Sequence, residues 1–210
     1  VMKKLNAFFW VVALGVSLLG AELSTYLRLP PMPQAPAIDG RIWSAEWMMA
    51  SPSFGSYSQE TGLMSVREVH HRIGYDDQNL YIAQQSELPP GPMLLASTGS
   101  IFVEFGEGDA MRRIDFDTAG ACAVEGVVSR AVAQRDYLEF EAAIPWEALG
   151  VPELRYGKEY KLQVGRDFRN QEEHAVWAPE GAGTFVARRD VPVAGLKTFG
   201  KRWKGDGYEI

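Results

Sequence analysis

Alternating apolar and polar residues over positions 66–86 predict a β-hairpin around which the rest of the chain can be organised. One face of its first strand carries four side chains, Val69, His71, Ile73 and Tyr75. This period of two is typical of a half-buried strand. The run 76–79, two aspartates followed by glutamine and asparagine, favours a tight turn, and the alternation resumes at Leu80. Because an isolated hairpin is unstable in water, other strands must cover its apolar face.

The same alternation recurs along the chain and predicts nine or ten strands, with a short helical turn at 146–149 and a second turn within 41–47. Besides the hairpin, the predicted strands are 101–105, 112–117, 121–135, 137–144, 160–164, 174–177 and 195–199. Residues 51–62 and 88–100 are predicted to form loops, because glycine, serine and proline are frequent there. Strands of this number and spacing predict an all-β fold, a two-sheet antiparallel β-sandwich of the immunoglobulin-like or jelly-roll type.

The two ends of the chain are predicted to lie outside this sandwich. Residues 1–21 place two lysines before an uncharged apolar run, which is typical of a secretory signal, and both cleavage and retention as a membrane anchor stay open. Residues 22–35 are predicted to form a proline-rich linker. The domain is then expected to span 36–200, with 201–210 as a tail. We expect a secreted, periplasmic or cell-surface protein that contacts a membrane only if its first segment is retained.

Composition narrows the class of protein further. The 210 residues are 46% hydrophobic and 23% charged, which is ordinary for a globular domain with a sizeable core. A net charge of −6 disfavours a nucleic-acid partner, because an acidic surface repels phosphates. The single cysteine, Cys122, cannot form an internal disulfide and is expected to be a buried thiol. We expect the protein to be a monomer.

Four sequence blocks, in this order and spacing, resemble the family 9 carbohydrate-binding modules and their DOMON-like relatives. The blocks are 36–47, 73–82, 138–146 and 177–179, the last followed by Gly195 and Leu196. The resemblance implies a β-sandwich that binds the end of a glucan or xylan chain without cleaving it, in support of carbohydrate catabolism. It also implies structural calcium, and no organic cofactor. The tryptophans of these blocks are predicted to plug the ends of the sandwich: Trp43, Trp47, Trp146 and Trp177.

In that family two aromatic side chains clamp a sugar, while an arginine and acids bind its hydroxyl groups. The resemblance places the arginine at Arg113 and one clamp aromatic near Phe185. Phe102 occupies the position of a family acid, and Leu95 and Ala96 lie where the other clamp aromatic would be. Tyr57 and Phe54, from the predicted loop 51–62, are therefore candidate substitutes for the missing clamp aromatic. The candidate carbohydrate contacts are Arg113, Phe185, Tyr57 and Phe54, and we expect Arg113 and Phe185 to lie outside the core.

Metal binding and catalysis have weaker support in the sequence. Four turn acids could offer oxygen ligands to calcium, although their spacing is not diagnostic: Asp76, Asp77, Asp109 and Asp117. Two strands carry paired carboxylates, Glu139 with Glu141 and Asp115 with Asp117, about 7 Å apart on one face. A glycosidase could use such a pair, but a solvated strand face has the same pattern, and we expect no enzyme. His70 and His71 point to opposite faces and cannot share a zinc ion.

Two alternatives of a different class stay open. The first is a DOMON-like haem b electron-transfer domain, because Met93, Met111 and either His70 or His71 are the ligand types that such domains use. The second is an extracellular scaffold that binds another protein through the basic and aromatic tail 201–208.

Overall fold

The computed structural model describes residues 25–88, 99–168 and 173–189, and in these ranges the chain forms twelve strands and no helix. The strands are β1 (Tyr26–Leu29), β2 (Ser51–Phe54), β3 (Tyr57–Ser58), β4 (Val69–Tyr75), β5 (Asn79–Glu87), β6 (Ser100–Glu107), β7 (Ala110–Phe116), β8 (Val128–Ala133), β9 (Tyr137–Pro145), β10 (Glu159–Phe168), β11 (Glu173–Val176) and β12 (Gly183–Ala187). They form a seven-stranded and a five-stranded sheet whose apolar faces pack together. The predicted all-β sandwich is confirmed.

The five-stranded sheet is built around the predicted hairpin, which the structure confirms. Its strand order is β2-β4-β5-β9-β8, with every neighbouring pair antiparallel. The register of β4 on β5 places Ile73 opposite Ile82 on the buried face. The turn between these strands is held by Asp76, whose Oδ1 accepts hydrogen bonds of 2.8 Å from the backbone N–H groups of Gln78 and Asn79.

The seven-stranded sheet is built around β10. β6 lies along one side of β10, and β7 pairs with the far side of β6. On the other side of β10, β12 pairs with its first half and β11 with its second half. β1 then adds to β12 in parallel, and β3 adds to β11. Side chains at directly opposed positions share one face of a sheet, so this register decides which residues meet on its outer surface.

Aromatic rings fill the space between the sheets. Phe105 of β6 contacts Tyr160 in a stacked arrangement, with ring centroids 5.2 Å apart. It also contacts Trp146 and Phe185, each through a tilted or edge contact of about the same length. Burial of this apolar layer is the main favourable contribution to folding.

The structure corrects the predicted start of the domain. Within the predicted linker 22–35, β1 pairs with β12, and the N–H of the buried Met32 donates to the carbonyl of Tyr75 at 2.7 Å. The expectation that the folded domain begins at residue 36 is therefore wrong. The predicted signal segment, the strand at 195–199 and the tail lie outside the described residues. Within the described ranges, no helix is long and apolar enough to cross a membrane.

Two local predictions also need correction. The predicted loop 51–62 contains β2 and β3, and β2 pairs with β4 from Ser51 to Phe54. The predicted strand 121–135 is shorter, since only β8 pairs in the sheet while the residues before it form turns. Cys122 lies in those turns and is half-buried, packed against the core, where a buried thiol was expected.

Candidate functional site

Phe185, one of the predicted ligand contacts, belongs to the core. Its ring is fully buried and makes edge contacts of 5.6 Å between centroids with both Tyr75 and Phe105. It lies opposite Tyr160 of β10, on the side of the sheet that faces the other sheet. The expectation that Phe185 lies outside the core is wrong, because its side chain points to the inner face of the sheet.

Arg113 lies on the outer face of the seven-stranded sheet. It is opposite Glu104 in the β6–β7 register, and its side chain is 38% exposed. The guanidinium carbon lies 3.8 Å from the centroid of the Phe102 ring, a cation–π contact. Arg113 is therefore outside the core, as predicted, and is fixed against an aromatic face.

Phe102 can lie flat on the sheet because the neighbouring position on β10 is Gly165. A Cβ at Gly165 would overlap the Phe102 ring, so only glycine leaves the space that the ring occupies. Arg113 covers the other face of the ring, and Phe102 is 2% exposed as a result. Phe102 thus forms the base on which the arginine lies.

Three carboxylates surround the guanidinium group of Arg113. Its Nε donates to Asp115 at 2.9 Å, its Nη1 to Glu104 at 3.3 Å and its Nη2 to Asp167 at 3.2 Å. Partial burial alone would lower the pKa of Arg113, but the hydrogen bond and charge of Asp115, with help from the other two acids, raise it. A guanidinium has five N–H donors, so these three bonds to described residues leave donors for a ligand.

The polar network continues along the same face. Asp167 also accepts hydrogen bonds from Ser100 Oγ at 3.2 Å and contacts His174 Nδ1 at 2.7 Å. His174 Nε2 lies 3.7 Å from a carboxylate oxygen of Glu60. We call the outer surface formed by Phe102, Glu104, Arg113, Asp115, Asp167 and His174 the Arg113 face. Its carboxylates outnumber its guanidinium, so the surface is negative.

Tyr57 lies on the same outer side of the sheet as the Arg113 face. The register places Tyr57 opposite Val176, Val176 opposite Gly165, and Gly165 opposite Phe102, in one row across the strands. Tyr57 as a residue is half-buried. It is the one predicted aromatic that shares a sheet face with Arg113.

Phe54 lies on the opposite side of the sandwich. The register of the five-stranded sheet places it in a row with His70, Gln85 and Glu139 on the outer face of that sheet. Phe54 is 72% exposed, and its ring contacts the edge of His70 at 5.1 Å between centroids. The four predicted contacts therefore do not form one site: two lie on the Arg113 side, one lies on the far side, and one is in the core.

The ligand types of the haem alternative are separated among the described residues. His71 lies between the sheets, where burial lowers its pKa to about 3, and its Nε2 is 3.0 Å from Ser56 Oγ. His70 lies on the outer face of the five-stranded sheet, and Met111 lies on β7 in the other sheet. Met93 falls outside the described residues.

The paired carboxylates do not form a catalytic pair. Glu141 is fully buried, and its oxygens accept hydrogen bonds from the N–H groups of Asp39 and Gly40 and from Trp47 Nε1. Asp115 is bound to Arg113, and Asp117 accepts hydrogen bonds from its own turn. The expectation of a solvated strand face is therefore wrong for Glu141.

Calcium binding stays a prediction. In the described part of the chain, no group of three or more His, Cys, Asp or Glu side chains is arranged to hold a metal ion. Asp76 binds backbone N–H groups of its own turn and the hydroxyl of Tyr81, and Asp77 accepts from Tyr156.

Sequence reasoning missed two features of the surface. Asp167 and His174 join the Arg113 face only through the register of β10 with β6 and β11, which no local pattern encodes. Trp43 is 54% exposed, whereas the other three tryptophans of the resembling blocks are buried as predicted.

Comparison with known proteins supports the fold. No protein-family model and no curated protein match this sequence. A family 9 carbohydrate-binding module from Caldicellulosiruptor kristjanssonii, solved with cellotriose, has a TM-score of 0.55 and 11% identity, covering 81% of this chain and 97% of its own. A family 9 module from the same organism, solved with glucose, has a TM-score of 0.54 and 12% identity, covering 79% of this chain and 97% of its own. A protein from Bacteroides uniformis ATCC 8492, described as carbohydrate-binding, has a TM-score of 0.55 and 12% identity, covering 79% of this chain and 100% of its own. The fold implied by the sequence resemblance is confirmed.

Proposed function

We propose that this chain is a non-catalytic carbohydrate-binding domain that contacts its ligand through the Arg113 face. The observation that carries this proposal is the arrangement of Arg113, which is partly exposed, stacked on Phe102 and held by three carboxylates. A guanidinium fixed in this way keeps two N–H groups, one on each terminal nitrogen, that have no acceptor among the described residues. Preorganised donors and acceptors of this kind are what a ligand with many hydroxyl groups requires.

The charge of the Arg113 face favours a neutral sugar. Glu104, Asp115 and Asp167 each keep lone pairs that can accept from sugar hydroxyl groups, while Arg113 donates to ring or hydroxyl oxygens. An anionic polysaccharide would meet more carboxylates than cations on this surface. Tyr57 lies on the same side of the sheet but four strands from Arg113, about 19 Å away, so it could stack only on a different ring of a longer saccharide.

Solved proteins of similar fold also support this proposal. Two of the solved structures that share the fold are family 9 modules bound to cellotriose or glucose. We extend the proposal to a plant-type glucan or xylan ligand, and to export of the protein by its first segment.

Calorimetric titration with cellotriose and xylotriose tests the proposal. We expect wild-type protein to bind at least one of them, and Arg113→Gln to weaken that binding by about tenfold or more, because a charged hydrogen-bond donor at a binding site is lost. Arg112→Gln is the matched control, since Arg112 is the next residue on β7, is exposed, and lies opposite Phe105 instead of Glu104. Folding of each variant is checked by thermal unfolding. Equal binding by wild type and Arg113→Gln, or no binding of either sugar by folded wild-type protein, would contradict the proposal.

A further inference from the structure

The outer face of the five-stranded sheet carries a groove of a different character. It is lined by the small side chain of Ala83, by Ile42 and Ser44, and by a row of residues from neighbouring strands. We define the Phe54 groove by Ser44, Phe54, His70, Arg72, Gln85 and Glu139. Its volume is about 190 Å³ and it is open to solvent, so a single ring fits inside while a longer ligand extends along the surface.

One row across four strands supplies most of the groove's chemistry. Phe54 of β2, His70 of β4, Gln85 of β5 and Glu139 of β9 are directly opposed in turn. Adjacent strands are about 4.8 Å apart, so the row spans roughly 14 Å. An exposed aromatic ring at one end, followed by planar polar groups at regular spacing, suits a linear ligand with apolar ring faces and polar edges.

The polar groups of the row are held in place by their neighbours. Gln85 Nε2 donates to Glu139 Oε1 at 3.2 Å, and among the described residues the amide oxygen of Gln85 has no hydrogen-bond donor. His70 Nε2 lies 2.7 Å from Glu68 Oε1, which fixes the imidazole edge-on to Phe54. Groups that are already oriented lose little conformational freedom when a ligand binds.

Arg72 adds a donor that the fold itself does not use. It is half-buried and lines the groove, and its side chain has neither an ion pair nor a hydrogen bond to another described residue, although its backbone pairs with β2 and β5. Together with Glu139 it makes the groove nearly neutral, in contrast to the negative Arg113 face.

Other occupants fit this groove less well. A peptide strand adding to the edge of the sheet would pair with β2, but Pro52 in that strand has no N–H to offer. A nucleic acid would meet Glu139 within the groove and Glu68 next to it, with only one arginine to bind phosphate.

We infer that the Phe54 groove is a second saccharide site, distinct from the Arg113 face and on the opposite side of the sandwich. In it, a neutral hexose or pentose ring stacks on Phe54, while Arg72 donates to its oxygens and Gln85 and Glu139 accept from its hydroxyl groups. The domain would then bind two saccharide segments at once, one on each sheet. This inference does not depend on the Arg113 face being a ligand site.

Titration of the full chain with cellohexaose and xylohexaose tests the inference, using wild type, Phe54→Ala, Arg72→Gln and Arg113→Gln. Leu63→Ala is the matched control, because Leu63 is 70% exposed, like Phe54, but does not line the groove. We expect two ligands per chain in wild type. Phe54→Ala should lose one of them, with affinity at that site reduced by about tenfold or more, and Arg72→Gln should weaken the same site.

The outcomes separate this inference from the proposed function. Loss of one ligand in Phe54→Ala while the other persists supports the groove, as does binding that survives in Arg113→Gln and disappears when Phe54→Ala is added to Arg113→Gln. Unchanged binding in both Phe54→Ala and Arg72→Gln overturns the groove and leaves the Arg113 face untouched. Complete loss in Arg113→Gln also overturns the groove. Binding lost in Phe54→Ala but unchanged in Arg113→Gln supports the groove and overturns the Arg113 assignment.

Discussion

Glu141 should be the polar residue on which the attachment of residues 39–47 to the five-stranded sheet most depends. Its side chain is 0% exposed. One carboxylate oxygen accepts from the N–H groups of Asp39 at 3.1 Å and Gly40 at 2.8 Å, and the other accepts from Trp47 Nε1 at 2.7 Å. Trp47 is itself fully buried in a cluster with Ala83, so this single carboxylate positions both a turn and a large core side chain.

The expected cost of Glu141→Ala follows from the donors that it leaves behind. The N–H of Asp39 is partly accessible and can turn to water, but the hydrogen bonds of Gly40 and Trp47 are buried. A buried donor without an acceptor costs about 1–3 kcal/mol. Two of them, less the desolvation of the carboxylate that is no longer required, give a loss of about 2–4 kcal/mol.

Urea unfolding at constant m-value measures this loss, with Glu139→Ala as the matched control. Glu139 lies two residues earlier on the same strand and face, but it is only half-buried and binds Gln85 and Gln134. Its truncation should cost less than about 1 kcal/mol. If Glu141→Ala and Glu139→Ala unfold at the same urea concentration, the carboxylate of Glu141 does not hold the segment and the reasoning is refuted.

The pH dependence of stability gives a second test of Glu141. Burial raises the pKa of Glu141 above its ordinary value of 4.5, although the three hydrogen bonds oppose this. The folded state then binds a proton more tightly than the unfolded state, so this group's contribution to stability is complete below pH 4.5 and falls as pH rises through the raised pKa. Glu141→Gln should remove that slope, which unfolding at several pH values measures. A wild-type slope that is unchanged in Glu141→Gln would assign the dependence to other groups.

Three further substitutions probe the core and the base of the Arg113 face. Phe185→Ala should cost about 3–5 kcal/mol in urea unfolding, whereas Phe54→Ala should cost less than about 1 kcal/mol; similar values would contradict the burial of Phe185. Gln84→Leu should raise the melting temperature, because the Gln84 amide is fully buried without a hydrogen-bond partner among the described residues, and a lower melting temperature would indicate an interior water or ligand that it binds. Gly165→Ala should both destabilise the fold by about 1–3 kcal/mol and weaken sugar binding, since the Phe102 ring under Arg113 must move; a fully stable variant with normal affinity would argue against this support.

Local alternation predicted most strands of the core, including β5, although residues 80–84 of that strand are buried on both faces. The β4–β5 hairpin was predicted correctly because His71, Ile73 and Tyr75 face the core while Asp76 supplies the turn. β1 was missed because its position depends on parallel pairing with β12, far away in the sequence, and the prolines that follow it favoured a linker. Contacts between distant strands cannot be deduced from the periodicity of either strand alone.

Candidate site residues were harder to predict than strands, because a site depends on which face each residue occupies. The resemblance identified Arg113 correctly as a surface residue, but it placed Phe185 on the surface as well. In β12, Phe185 and Val186 are both buried, so apolar character does not distinguish the inner from the outer face there. Phe54 and Tyr57 are three residues apart in the sequence, yet they join different sheets. The chain crosses from one sheet to the other between them at Gly55, whose φ of 80° is typical of a turn but does not indicate which sheet the chain joins next.

Chemical-shift mapping by NMR during titration with cellotriose tests the central claim most directly. We predict that the largest shifts lie on the outer face of β6, β7 and β10, at Glu104, Arg113, Asp115 and Asp167, while inward-facing neighbours such as Ile114 shift little. Saturating binding that leaves these four residues unshifted would contradict the assignment of the Arg113 face as a carbohydrate site.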